Sequence, residues 1–205
     1  MTRDPWFRRR PTALLILVAL AATACGQSGQ DVPATVSLPE TDIYLVRVKI
    51  EDGDRVHGEP RNVTGRRGYD NQPLFLLDES GFLFTSFLDG QADIYRYELE
   101  TDAIYRVTAT PAGEWAPALT PDGSGFTIAR NEEGEVFQRL WRFPMDGRLP
   151  QVVLRDVTGA GYHTWVDAET VALYLVTDPP ELALVDIASG RREVVAVDVG
   201  RCIHV

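Results

Sequence analysis

Apolar and polar positions along this chain alternate in short runs broken by turn residues, the pattern of antiparallel strands and not of helices. In the run Asp93-Ile94-Tyr95-Arg96-Tyr97-Glu98-Leu99, Tyr95, Tyr97 and Leu99 fall on one face, opposite Arg96 and Glu98. Ahead of it, Leu74 to Leu76 and Phe82 to Ser86 read as strands on either side of a turn over Asp78 to Gly81. Asp89-Gly90 is a hairpin signal, because glycine accepts positive φ. A turn over Glu100 to Ala103 leads into a fourth strand, Ile104 to Thr108. These four strands recur. Pro73, Gly81 and Phe82 return 44 residues later as Pro117, Gly125 and Phe126. The second copy predicts strands over Ala116 to Leu119, Gly125 to Arg130, Phe137 to Phe143 and Gln151 to Leu154. A worn third copy places them over His163 to Val166, Val171 to Val176, Leu182 to Asp186 and Glu193 to Val197. A four-stranded unit returning about every 45 residues is the period of a β-propeller blade.

Partial copies flank the three units. Thr41-Asp42-Ile43-Tyr44 repeats Ala92-Asp93-Ile94-Tyr95, and Arg61-Asn62-Val63-Thr64 repeats Tyr105-Arg106-Val107-Thr108. The pattern therefore predicts half a blade in front, with an inserted loop over Glu51 to Glu59. Arg201-Cys202-Ile203-His204 reads as the first strand of a further blade. The expected fold is all-β: a partial β-propeller of about three and a half four-stranded antiparallel blades, spanning 41–205. Propellers usually close with four to eight blades. Open edges invite pairing with another chain, so the expectation is either self-association or a truncated version of a longer propeller, with the end inside a strand favouring truncation.

Pro121-Asp122-Gly123 after a short strand, the Asp-Ile-Tyr strand and the closing Arg-Val-Thr resemble the repeat of TolB-type propellers, WD-like repeats of bacterial envelope proteins. The resemblance covers about Thr41 to Val205. In the third copy Asp167-Ala168-Glu169 replaces the Pro-Asp-Gly turn, so that unit rests on spacing and strand pattern. The resemblance implies a periplasmic setting. Such repeats also form the propeller portions of prolyl-peptidase-type and amidohydrolase-type enzymes.

Residues 1–24 change the picture at the front. Arg8-Arg9-Arg10 precede a short apolar stretch from Ala13 to Ala22, which has the length of a signal peptide and not of a membrane span. Ala22-Thr23-Ala24-Cys25-Gly26 resembles a bacterial lipobox, a family in which cleavage before the cysteine precedes its lipidation. Cys25 is thus the expected lipid attachment and membrane contact; the alternative is an ordinary secretory signal ending near Ala24. Gly26 after the cysteine, in place of Asp, resembles lipoproteins sent to an outer membrane. Residues 25–40, rich in Gly, Ser, Gln, Pro and Thr, read as a flexible tether. With Cys25 lipidated, Cys202 has no partner for a disulfide.

Composition narrows the partners. The net charge is −10, from 20 basic and 30 acidic residues. The leader contributes +3, which leaves about −13 on the remainder. A surface this acidic excludes nucleic acid as an expected partner. The sequence carries no Gly-x-Ser-x-Gly elbow, no His-Glu-x-x-His and no Cys-x-x-Cys. No catalytic residue, metal site or cofactor is therefore expected.

The first strand of each blade lines a propeller's central channel. Its start carries Tyr69, Asp70 and Asn71, then Glu114 and Trp115, then Tyr162 and His163, then Arg201 and His204. Aromatic, acidic and imidazole groups converging at one mouth suit a small ligand, a peptide or a metal. The alternative for the aromatics is packing between blades. The expected function is non-catalytic, an envelope lipoprotein offering a binding surface to a protein, peptide or glycan. Two alternatives are the propeller portion of a larger hydrolase and a truncated fragment without function.

Overall fold

The computed structural model of the chain describes residues 38–132 and 137–203. Cys25, most of the expected tether and His204 lie outside the described residues. The front of the fold holds β1 (Tyr44–Leu45), β2 (Val48–Glu51), β3 (Asp54–His57) and β4 (Arg61–Asn62). The first full blade is β5 (Tyr69–Phe75), β6 (Gly81–Leu88), β7 (Gln91–Glu98) and β8 (Ile104–Arg106). The second is β9 (Gly113–Leu119), β10 (Gly125–Asn131), β11 (Gln138–Pro144) and β12 (Gln151–Val152). The third is β13 (Ala160–Trp165), β14 (Thr170–Leu175), β15 (Glu181–Asp186) and β16 (Arg192–Val197).

Each blade is an antiparallel meander whose strands pair in chain order. Half a blade stands in front of them: β1 pairs with β4, and Thr41 bridges in parallel to Tyr69 at the start of the first blade. The segment expected as an inserted loop is instead a regular hairpin, β2 against β3, with Glu51 opposite Asp54 across the turn. Asp52 and Gly53 take positive φ there, which suits a tight hairpin turn. Its strands are exposed throughout. Leu38, inside the expected tether, lies against the propeller and is half-buried. The other correction is at the far end: Arg201 to Ile203 form no strand. Among the described residues no helix is long and apolar enough to cross a membrane.

The recurring Asp-Ile-Tyr and Arg-Val-Thr segments have a common physical cause. Ile94 donates its backbone N–H to Thr108 Oγ1 at 2.9 Å and accepts from Val107 N at 2.8 Å. Ile43 does the same with Thr64 Oγ1 and Val63 N, each at 2.9 Å. The threonine hydroxyl satisfies a buried strand N–H where the outermost strand has ended. Arg106 closes the motif on Asp93 at 2.8 Å, and Asn62 on Asp42 at 2.8 Å. Thr108 is fully buried. Thr108→Val keeps the shape and strands the Ile94 N–H, so urea unfolding should show a loss of about 1–3 kcal/mol. A loss within error would mean that the motif is not holding the blade's edge.

The core lies between neighbouring blades. Leu76, Leu83 and Ile94 of the first blade pack with Phe126, Ile128 and Phe143 of the second. Leu140 and Leu154 of the second pack with Val171, Leu173, Leu175, Ala183 and Val185 of the third. Ile43 packs with Phe82, Phe84 and Tyr97, joining the half-blade to the first blade. Gly81 and Gly125 recur because the strands approach too closely for a side chain. A Cβ at Gly81 would stand 2.0 Å from the Tyr97 carbonyl oxygen, and one at Gly125 2.2 Å from that of Phe143.

Candidate functional site

The first strands of the three blades, β5, β9 and β13, each break register near their start. In β5 and β9 the break is written in the sequence as Gln72-Pro73 and Ala116-Pro117. Proline gives no N–H to a ladder and is confined in sheets to edges and bulges. Gln72 and Ala116 both take positive φ, +57° and +53°. For residues with a side chain this is a sparsely populated backbone state, and such outliers cluster at functional sites. The Ala116 N–H, turned out of its own ladder, is shared between Gln72 Oε1 at 2.9 Å and Thr85 Oγ1 at 3.0 Å. The two bulges are thereby tied across the blade boundary.

Two cavities open between these strands. The first, about 370 Å³, is walled by Pro73, Leu74, Pro117, Ala118, Thr164 and Ile203, with Gln72, His163, Arg201 and Cys202 as its polar groups. The second, about 280 Å³, is aromatic, with Tyr69, Trp115, Tyr162 and Tyr174 beside Leu38 and Gln138. Gln72, Ala116, Tyr162 and Arg201 belong to both.

Five of the residues expected at the channel mouth thus reach the cavities: Tyr69, Trp115, Tyr162, His163 and Arg201. Asn71 stands behind Tyr69, donating to its hydroxyl at 2.7 Å. Asp70 and Glu114 are corrections. They hold equivalent positions in β5 and β9, opposite Ser86 and Arg130, and point into the blade interiors. Asp70 is 2% exposed and paired with Arg66 at 3.0 Å. Glu114 is fully buried and accepts from Thr110 Oγ1 at 2.6 Å. Burial pushes the Glu114 carboxyl above its ordinary range, against the lowering effect of the Thr108 and Thr110 hydroxyls. The third blade meets the same requirement with Ala160 opposite Leu175. The two carboxylates thus meet their partners, Arg66 and Thr110, inside the blades and not in the cavities.

His163 is the buried imidazole of the site. Its Nε2 lies 2.8 Å from Thr127 Oγ1, which also accepts from Trp165 Nε1 at 3.1 Å. Its Nδ1 is buried without a hydrogen-bond partner. Burial lowers its pKa to about 4, outweighing the backbone carbonyls of Thr127 and Gly161, so the ring is neutral at pH 7. Arg201 is held charged by the Tyr174 hydroxyl and then by Tyr162, both of which raise its pKa. Trp115 lies between Tyr69, at 6.4 Å and tilted, and Phe87, stacked at 6.0 Å. It therefore serves both readings of the aromatics, packing and cavity wall. Among the described residues no group of three or more His, Cys, Asp or Glu is placed to hold a metal ion. Gln72, Tyr174 and Leu38 are cavity residues that the sequence did not reveal. The Gln-Pro and Ala-Pro pairs inside strands were the available signal.

No protein-family model matches the chain, and no curated protein matches its sequence. Solved structures do match it. TolB of Acinetobacter baumannii superposes with a TM-score of 0.57 at 20% identity, over 75% of this chain and 41% of that one. The fold is that of a TolB-like β-propeller. A protein assigned as TolB from Agrobacterium tumefaciens gives 0.57 at 18% identity, over 75% of this chain and 60% of its own. A puromycin-hydrolysing peptidase of Mycobacterium tuberculosis gives 0.54 at 21% identity, over 76% of this chain and 24% of its own. The TolB-like arc thus spans less than two thirds of each of these relatives.

Proposed function

We propose that this chain is a non-catalytic envelope lipoprotein whose TolB-like propeller binds a protein, peptide or glycan at the cavities between its first strands. The observation that carries the reading is the pair of tied bulges at Gln72 and Ala116. They open a concave, largely apolar site with a few converging polar groups, which is the usual make-up of a ligand pocket. Trp115 in the wall gives a direct readout. A ligand entering the aromatic cavity should shift the Trp115 emission, and the shift should vanish in Trp115→Phe. A proven ligand that leaves the spectrum unchanged would move the binding face elsewhere.

The anchor is a separate part of the proposal and rests on the lipobox-like Ala22-Thr23-Ala24-Cys25. Cells fed labelled palmitate should label the wild-type chain and pellet it with membranes, on the periplasmic side of the outer membrane where the cell has one. Cys25→Ser should lose the label and release the chain from the pellet. Retained label in Cys25→Ser would place the lipid on another residue.

A second reading is favoured by the likeness to the puromycin-hydrolysing peptidase, of which this arc would correspond to a quarter of the chain. Here the propeller would be one portion of a larger hydrolase. A Gly-x-Ser-x-Gly elbow encoded in frame after Val205 would decide for it.

A further inference from the structure

The charge of the central cavities is opposite to that of the chain. The sequence holds 30 acidic residues and a net charge of −10, yet among the described residues no Asp or Glu lines either cavity. The two carboxylates that the repeat places at the strand starts, Asp70 and Glu114, are turned into the blades, Asp70 onto Arg66 and Glu114 onto Thr110. Among the described residues the one cation lining the cavities is Arg201, common to both. Its neighbours there are tyrosine hydroxyls, and no carboxylate forms an ion pair with it among the described residues. A guanidinium facing a cavity without an acid is a site for an anion, and its planar fork matches a carboxylate.

His163 borders the same cavity. Thr127 has one hydroxyl hydrogen, and its contact to His163 Nε2 at 2.8 Å is shorter than that to the Ala118 carbonyl at 3.3 Å. Assigned on that geometry, the hydroxyl donates to Nε2 and the ring proton sits on Nδ1. His163 is nine-tenths buried and lines the first cavity, but its Nδ1 is enclosed, so the ring serves as wall and not as a donor to a ligand.

The walls choose the kind of carboxylate. Pro73, Leu74, Pro117, Ala118 and Ile203 are apolar. Gln72 Oε1 is already occupied by the Ala116 N–H. A glycan, with hydroxyls all round its rings, would find few partners here. A chain end carries its carboxylate and its last side chain on the same carbon. It can meet Arg201 while that side chain rests on the apolar wall.

We infer that the cavity takes the free C-terminal carboxylate of a peptide with an apolar last residue, held by Arg201. This rests on the binding reading proposed above and narrows it to one ligand class. Cys202 reports on it directly, since its thiol is exposed and lines the same cavity. In the full chain carrying Cys25→Ser, in detergent, Cys202 is the one thiol left. Its alkylation rate is measured with an N-acetylated tripeptide ending in leucine, as the free acid and as the C-terminal amide. The acid should protect Cys202, and the amide should need roughly tenfold more peptide for equal protection. Arg201→Gln should make the two peptides equal, and Arg201→Lys should restore part of the difference. Arg201 is exposed, so these variants keep the core. Equal protection by acid and amide in the wild type overturns the carboxylate inference while the binding reading stands. Protection by neither peptide overturns the inference as well, and the cross-linking experiment that closes the Discussion then decides the binding reading on its own.

Discussion

Phe126→Ala should lower the free energy of unfolding by about 3–5 kcal/mol, the cost of deleting a large side chain from a core that cannot collapse around the gap. Phe126 is fully buried and stacks on Phe143, its partner across β10 and β11, with ring centroids 5.6 Å apart and planes within 7°. Around the pair stand Leu76, Leu83 and Ile94 from the neighbouring blade. The cavity would therefore open at a boundary between blades, where both backbones are already fixed by their own ladders. Gly125, next in the chain, holds β10 against the Phe143 carbonyl and leaves the strand no room to shift. Leu77, 75% exposed, is the control: Leu77→Ala should change stability by no more than about 0.5 kcal/mol. Urea unfolding checks both. Equal effects from the two substitutions would mean that the blades do not share a core.

Stability should fall as the solution is made acidic below neutrality, and His163 should be the largest cause. Its pKa is about 4 in the folded chain against an ordinary 6.5. Between those values the unfolded chain binds a proton that the folded chain refuses. The contribution is therefore complete above about pH 6.5 and declines as pH falls, reaching roughly 3 kcal/mol of loss by pH 4. Asp93 and Glu114 act in the opposite sense. Burial raises both, so their protonation on acidification favours the folded state. Asp122, lowered to about 2 by the Thr120 and Ser124 hydroxyls, costs stability only as pH falls through the carboxylate range. The difference between wild type and His163→Gln isolates the imidazole. That difference should be constant above pH 6.5 and shrink towards pH 4.5. A constant difference across the whole range would mean that His163 is solvated.

The blades were legible because each one solves the same packing problem with the same residues. Glycine before phenylalanine at 81–82 and 125–126, and Asp-Ile paired with Val-Thr at 93–108 and 42–64, each mark a fixed backbone contact. The hairpin at β2 and β3 was missed because its strands are exposed, and no buried face writes a period into them. The site was legible only in part. The sequence places Tyr69, Trp115, Tyr162, His163 and Arg201 near one another because they fall within a few residues of the same stretch in successive copies of the repeat. It does not say which way a strand start turns. The bulges at Gln72 and Ala116 decide that, sending Asp70 and Glu114 inward, so that among the described residues no acid lines the cavities. Gln72 joined the site through a blade-to-blade bond, signalled only by the Gln-Pro pair inside a strand, and Tyr174 through the second strand of the third blade.

The central claim is that this propeller works by holding another molecule between its first strands. A photo-reactive benzoylphenylalanine at Tyr162, which borders both cavities, tests it in intact cells at native expression. The same probe at Tyr105, 44% exposed on the outer strand of the first blade, is the comparison. The account expects one discrete adduct from the Tyr162 probe, carrying a peptide, protein or glycan of the envelope, and none from the Tyr105 probe. Adducts from the Tyr105 probe alone, or from neither, would contradict it.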